Sequence, residues 1–319
     1  MGETVSNILV YMLKKILMVI PVWLGITILA FLLGVISPSD PAAILLSMDG
    51  VSTPSAQEIA EKQHELGLDR PYLIQYLSWL FQVLQGDFGI SYITRQPVLE
   101  ELLLRLPVTV SLASSALLLI LFTGIPLGVF MAYRKDSASD FILRAAALTV
   151  TSLPVFWLAI VLMWVFSEGL RLLPTSGYGT FAHLLMPSFA LAAGTAGTLM
   201  RLQRAALLDV LEQNFILTAR AQGLPLSFII WKHGLLNSLI PVITLLGNYF
   251  GAIIGGSAVV ESVFSLPGLG SYVLEAIRGR DYPAIQGYVI FTGLVFTIFN
   301  LLIDLSYLFL NPKIRLGGK

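Results

Sequence analysis

The side chains that could do chemistry in this sequence are few and scattered, and the scatter limits what they could do. The three histidines are His64, His183 and His233, too far apart in sequence to make a His-rich metal trap. Cysteine is absent, which removes disulfides, thiolate metal sites and cysteine nucleophiles. No Ser-His-Asp or paired-carboxylate arrangement is legible, so neither a catalytic nor a metal-binding set is expected. Pro267-Gly268-Leu269-Gly270 has the look of a phosphate loop. It lacks the lysine and the helix-opening context of a nucleotide site and reads better as an outer turn. No Gly-x-x-x-x-Gly-Lys-Ser/Thr occurs, so any ATP that drives this protein binds on another chain. Glu261 and Asp304 fall near the ends of apolar stretches. Ionisable groups at membrane depth are functional suspects, but both lie close enough to an interface that anchoring or inter-subunit pairing outweighs a proton relay. His183 follows Gly177-Tyr178-Gly179. A transient metal contact there is outweighed by a plain interfacial histidine.

The elements that must position these residues are membrane helices. The chain has 319 residues, 56% apolar and 12% charged, against about 25% charged in soluble domains. An integral membrane protein follows. The formal net charge is zero, which argues against nucleic acid as a partner. Six apolar spans can be drawn, over residues 16–36, 108–133, 141–166, 183–200, 241–263 and 284–310, near the length of about 20 residues that crosses a bilayer core. Pro154 is expected to kink the third. Pro187, Gly194 and Gly197 interrupt the short fourth. Lys14 and Lys15 precede the first span as in a signal sequence, but it exceeds the roughly 7–15 residues of a signal core and has no clear cleavage site. With the N-terminus inside, and Arg144 counted at the inner end of the third span, the inner side holds 12 Lys and Arg against 7 outside, so both termini are placed in the cytoplasm.

Two polar regions interrupt the spans. Residues 37–106 are too polar to cross and read as a small extracytoplasmic segment. Thr53-Pro54-Ser55-Ala56-Gln57-Glu58 has the cap, proline and early glutamate of a helix start. That helix stops at Gly67 and a second begins at Pro71, with Leu73, Tyr76, Leu77, Leu80 and Leu84 on one apolar face. Tyr76 and Trp79 suit a membrane interface or a packed cap. Residues 205–240 are the second region. A helix over 205–222 presents Leu208, Leu211, Phe215 and Ala219 on one face, Gly223 breaks it, Pro225 opens a second, and an amphipathic stretch runs over 226–238. Such a knuckle could fill a groove on a soluble partner or lie on the inner leaflet; periodicity does not separate the two. For His233 within it, local hydrogen bonding that holds the second helix is the plainer role. Gly251, Gly255, Gly256 and Ser257 let helices approach closely; Gly251, Gly255 and Ser257 are the candidates for a translocation path, with packing the plainer role.

The second region resembles the cytoplasmic coupling loop of ABC importer permeases. Gly223, Ala219 and Leu235 fit the general Glu-Ala-Ala…Gly…Ile-x-Leu-Pro pattern, while its glutamate and proline are missing. Thr218-Ala219-Arg220-Ala221, Gly223-Leu224, His233, Leu235, Asn237 and Leu239-Ile240-Pro241 are similar to the peptide and nickel branch; Pro225 departs from the hydroxyl residue often found there. Leu66-Gly67-Leu68-Asp69-Arg70-Pro71, Gly86-Asp87-Phe88-Gly89, Leu106-Pro107, the run 260–270, Arg280-Asp281-Tyr282-Pro283 and Asn311-Pro312-Lys313-Ile314-Arg315 resemble the first permease subunit of that family in order and spacing.

The resemblance implies an all-α integral membrane protein of six transmembrane helices with the type I ABC importer permease fold and a small helical extracytoplasmic insertion. Residues 1–36 would be the cytoplasmic N-terminus and first span, 37–106 the outer segment, 107–310 a five-helix core including the coupling loop 205–240, and 311–319 a cytoplasmic tail. Ala219, Arg220, Ala221, Gly223, Leu224, His233 and Leu235 would meet the ATPase. The implied partners are a second, homologous permease subunit, two ATPase subunits that carry the ATP and magnesium, an extracytoplasmic solute-binding protein and membrane lipid, in a bacterial or archaeal plasma membrane. Leu173-Pro174-Thr175-Ser176-Gly177-Tyr178-Gly179 and Asp87-Phe88-Gly89-Ile90-Ser91 look more like nickel permeases, so the expected cargo is nickel, free or chelated. Di- or oligopeptides are the alternative, and an ion-coupled secondary transporter the reading from another class.

Overall fold

The computed structural model describes residues 2–36, 40–48 and 54–310. Thr53 and the run Asn311–Arg315 lie outside the described residues. Every named element is helical, and among the described residues the only strand-like pairing is a single bridge between Ile90 and Pro97. The chain divides into two compact units, Met1–Leu106 with Tyr272–Lys319, and Pro107–Ser271.

In the first unit α1 (Gly2–Val35) packs along α14 (Tyr282–Leu310) and touches α4 (Tyr72–Leu84), while α2 (Pro41–Met48) packs on α3 (Ala56–Glu65). Local sequence explains where α3 and α4 begin and end. Ser55 caps α3 through a full capping box with Glu58, satisfying two amides that a helix start leaves open. Gly67, at φ 67°, ends it, and Pro71 opens α4. The apolar face expected on α4 is divided. Tyr76 and Trp79 turn inward onto Phe31 of α1, with ring centroids 5.6 and 5.8 Å away, and the Tyr76 hydroxyl shares a 2.9 Å hydrogen bond with Thr27. Leu73, Leu77 and Leu84 stay exposed.

The second unit is built around α8 (Phe181–Leu211), against which α6 (Ala138–Ser152), α7 (Val155–Leu162) and α11 (Leu235–Gly256) pack. Among the described residues four helices are long and apolar enough to cross a membrane, five if α6 and the helical run from Val155 to Gly169 form one span. α8 has 31 residues, about 46 Å at 1.5 Å per residue. It contains the fourth apolar stretch expected from the sequence, but its small and polar residues leave it out of those four. Three expectations are corrected. Pro154 does not kink the third span but breaks it, with a 103° bend between α6 and α7, because proline drives Leu153 into extended backbone. The helix of 205–222 is two helices, since α8 ends at Leu211 and α9 (Asn214–Ala221) starts anew. The fifth span starts earlier than 241: α10 (Leu226–Ile229) runs through a π turn over Ile230–Gly234 into α11, leaving Pro241 inside a helix.

Glycine lets these helices meet. A Cβ on Gly128 of α5 (Val98–Tyr133) would come within 2.7 Å of the Met200 carbonyl, and one on Gly124 within 2.6 Å of Leu199. These residues are one turn apart and form a small-residue seat for α8. Gly197 of α8 likewise sits where a Cβ would be 2.7 Å from the Ala147 carbonyl of α6.

Candidate functional site

The knuckle between α8 and α11 is assembled from local signals. α9 ends in a Schellman arrangement: Gly223 takes φ 77°, its amide donates to the Arg220 carbonyl at 2.9 Å, and the Leu224 amide reaches the Ala219 carbonyl at 3.3 Å. Pro225 then sits as the N-cap of α10, one position before the first-turn place expected for it. Ile216 and Ala219 of α9 and Ile229 and Ile230 beyond the turn are buried in one cluster with Val129 and Ala132 of α5 and Leu207 and Leu211 of α8. Leu224 and Leu235 pack at its edge. Gly234 brings this segment onto α8, since a Cβ there would be 2.8 Å from Leu207.

What remains outside is a compact surface. Arg220, Ala221, Gln222 and Gly223 are exposed, and so are Phe215, Leu217, Phe228 and Trp231. Lys232 Nζ lies 5.0 Å over the Phe228 ring, and the His233 ring meets the same phenyl edge-on at 6.2 Å. Asn237 Nδ2 donates to the His233 carbonyl at 2.7 Å. The seven residues singled out in the sequence thus divide by role. Arg220, Ala221 and Gly223 face outward, Ala219 seats the knuckle, Leu224 and Leu235 pack half-buried, and His233 braces Phe228. The exposed aromatics at Phe228 and Trp231 were not singled out, although their place just after the turn is a usable signal.

Two buried carboxylates organise other loops. Glu261, in α12 (Ala258–Val263), is fully buried. Its Oε1 accepts from Thr109 Oγ1 at 2.8 Å and Ser257 Oγ at 2.7 Å, and its Oε2 accepts from the Ser271 amide at 3.0 Å. The anchoring role fits this geometry, and the run 260–270 wraps around it. Ser257 is therefore spent on Glu261, with its side chain buried. Gly251 is buried in α11, and the packing of Gly255 lies outside the described residues.

Asp281 caps the start of α14 through the Ala284 amide at 3.3 Å. It also accepts from Ser91 Oγ at 2.5 Å and the Ile93 amide at 3.2 Å. Two runs that the sequence separates widely, 86–91 and 280–283, meet at this carboxylate. Burial, with Asp281 and Asp40 nearby, pushes the Tyr92 phenol up to about 12, so it stays neutral. His183 Nδ1 pairs with Thr180 Oγ1 at 2.7 Å. Among the described residues no cluster of three or more His, Cys, Asp and Glu is arranged to hold a metal ion.

A third polar anchor was not foreseen. Asp140 is buried near the start of α6, where Arg204 of α8 grips it with two hydrogen bonds of 2.9 and 2.8 Å. Gln203, buried beside it in sequence, donates to Ser238 of α11 at 2.8 Å. No short-range pattern announces such long-range pairs. The Gly124-x-x-x-Gly128 spacing, by contrast, could have been found.

The sequence matches the family model of the binding-protein-dependent transport system inner membrane component over residues 124–316, and that of the N-terminal part of such membrane components over residues 8–113. It is 38% identical over 305 residues to the glutathione transport system permease protein GsiC of Salmonella typhimurium, covering 96% of this chain and 98% of that protein. It is 39% identical over 311 residues to a putative peptide transport system permease protein of Brucella abortus, covering 95% of this chain and 98% of that one.

Proposed function

The chain belongs to the family of binding-protein-dependent transport system inner membrane components, and on that premise we propose that it is one permease subunit of an ATP-driven importer of small peptides, glutathione-like thiol peptides included. It is a non-catalytic membrane subunit of an ABC transporter. The observation that carries the mechanism is the knuckle. Its inward face is one apolar cluster with α5 and α8, so it moves as a body with them. Its exit is a continuous helical run from Leu226 to Gly256. A displacement applied at Gly223 by an ATPase that closes on ATP passes into α8 through that cluster and into α11 through that helical run. The bundle then exchanges inward for outward access, a two-state shift driven by differential binding.

This reading places the knuckle and both termini in the cytoplasm, two ATPase subunits at the knuckles of this chain and of a second permease, and a solute-binding protein at the outer loops. The names of the similar relatives favour peptide over nickel as cargo. The two runs that suggested nickel also have structural work. Asp87 accepts the Gly89 amide at 2.9 Å in a local turn, and the Gly177 amide bonds the Phe264 carbonyl at 3.0 Å. The test is uptake by cells expressing the chain with its neighbouring genes, comparing labelled dipeptide, glutathione and nickel. Saturable peptide or glutathione uptake that stops when the ATPase site is mutated is expected; ATP-dependent uptake of nickel alone would restore the metal reading.

A further inference from the structure

We propose that the recess between α6 and α8, one turn beyond the knuckle, binds the phosphate of an anionic phospholipid and ties the inner leaflet to the coupling end of the bundle. The recess measures about 490 Å³ and is lined by Arg144 and Leu148 of α6 and by Arg201, Leu202 and Arg204 of α8. It opens beside the close approach at Gly197, where α6 and α8 nearly touch through the Ala147 carbonyl. Three guanidiniums converge there against one carboxylate. Asp140 is already filled by the fork of Arg204 and by the Asp136 amide at 3.1 Å. Arg144 stands 3.4 Å from it, and its buried Nε makes no hydrogen bond. Arg201 is exposed at the rim. The surplus of positive charge calls for an anion with several acceptor oxygens, which guanidinium groups recognise well.

A phosphate could come from a lipid or from solution, and the surroundings select the lipid. The wall between the arginines is Leu148 and Leu202. One turn before Arg144 on α6, Phe141 stands 68% exposed, giving an apolar face beside the recess on a membrane-embedded helix. An acyl chain can lie along that face while its headgroup enters the recess, and basic pockets between transmembrane helices on the cytoplasmic side favour such headgroups. Arg204 belongs to the same helix that carries Leu207 and Leu211 into the knuckle cluster, so an occupied recess stiffens the segment through which coupling passes. The inner-leaflet assignment rests on the orientation proposed above.

The test uses the assembled transporter, purified and reconstituted in phosphatidylcholine bilayers containing spin-labelled phosphatidylglycerol. The immobilised fraction of the label is read with and without inorganic phosphate. The wild-type complex is expected to retain the anionic lipid over a phosphatidylcholine label, and inorganic phosphate is expected not to displace it. Arg201→Gln and Arg144→Gln are each expected to weaken retention about fivefold, with Arg201→Lys largely retaining it. Equal retention in wild type and both variants overturns the proposal, as does displacement by inorganic phosphate or crosslinking of residue 201 to a protein subunit rather than to lipid. Peptide uptake is scored separately in the same preparation, so loss of the importer reading and loss of the lipid site give different results.

Discussion

At the scale of single residues, Glu261 shows how a charge can be held in an apolar setting. Its oxygens receive two hydroxyls and one amide, and a buried acceptor that is fully paired costs little, whereas the donors left behind when it is removed cost about 1 kcal/mol or more each. Glu261→Ala is expected to destabilise the protein by about 3 kcal/mol. Glu261→Gln should cost less, because one amide oxygen can still take both hydroxyls and only the Ser271 amide loses its acceptor. Thermal unfolding in detergent separates the two; equal midpoints for alanine and wild type would remove the anchoring role. The acid was legible as an unusual residue, but Thr109 is 152 positions away, and no sequence period links them. Glu58 is the local counterpart, and its whole capping box could be foreseen because its partners lie within one turn. The Ser55 amide, and then its hydroxyl, hold the Glu58 carboxyl below the usual carboxylate range. A folded-state pKa below the unfolded one means that the cap contributes fully above the ordinary range and is lost as pH falls through the lowered value. Protection of the α3 amides, taken relative to their intrinsic exchange rate at each pH, is therefore expected to fall on acidification, and Glu58→Gln should flatten that dependence. An unchanged acid profile in the variant would assign it to another group.

At the scale of elements, the knuckle was largely readable and the helices that carry it were not. Gly223 and Pro225 punctuate the chain locally, so the turn could be placed to within one residue. That the second amphipathic stretch is the beginning of α11 could not, because Pro241 signals a boundary by its missing amide while a π turn and packing on Leu207 carry the helix through. At Gly223 nothing lies within 4 Å of a built Cβ, so a substitution there meets backbone strain and no clash. A β-branched residue at φ 77° costs on the order of 1–3 kcal/mol, whereas asparagine tolerates this region. Gly223→Val is expected to uncouple ATP hydrolysis from uptake with the protein still in the membrane, and Gly223→Asn to keep most coupling. Comparing hydrolysis with uptake in reconstituted vesicles checks this; normal transport by the valine variant would mean that the turn's conformation does not matter.

For the whole molecule, the question is whether the energy enters from ATP or from an ion gradient. A proton-coupled carrier needs a buried ionisable group with a free partner to exchange. The buried acids among the described residues are Asp140, Glu261 and Asp281, and each is occupied: Asp140 by Arg204, Glu261 by Thr109, Ser257 and Ser271, and Asp281 by Ser91 and two amides. Each pins a loop or a helix start; Asp281 also lies near Tyr272, whose ring Arg105 covers at 4.6 Å, but its carboxyl already holds one hydroxyl and two amides. Asp304, flagged from the sequence, sits in α14 with its side chain outside the described residues, so it is the one flagged acid whose part must be tested directly. Uptake by vesicles holding the full complex is expected to persist when a protonophore collapses the gradient and to stop when the ATPase site is mutated, and Asp304→Asn is expected to leave both responses as they are. A variant that transports but has lost a gradient dependence present in the wild type would reverse the assignment and make Asp304 the coupling residue. The same membership in a binding-protein-dependent family that supports the ATP-driven reading makes a second expectation checkable in those vesicles: uptake should require the solute-binding protein.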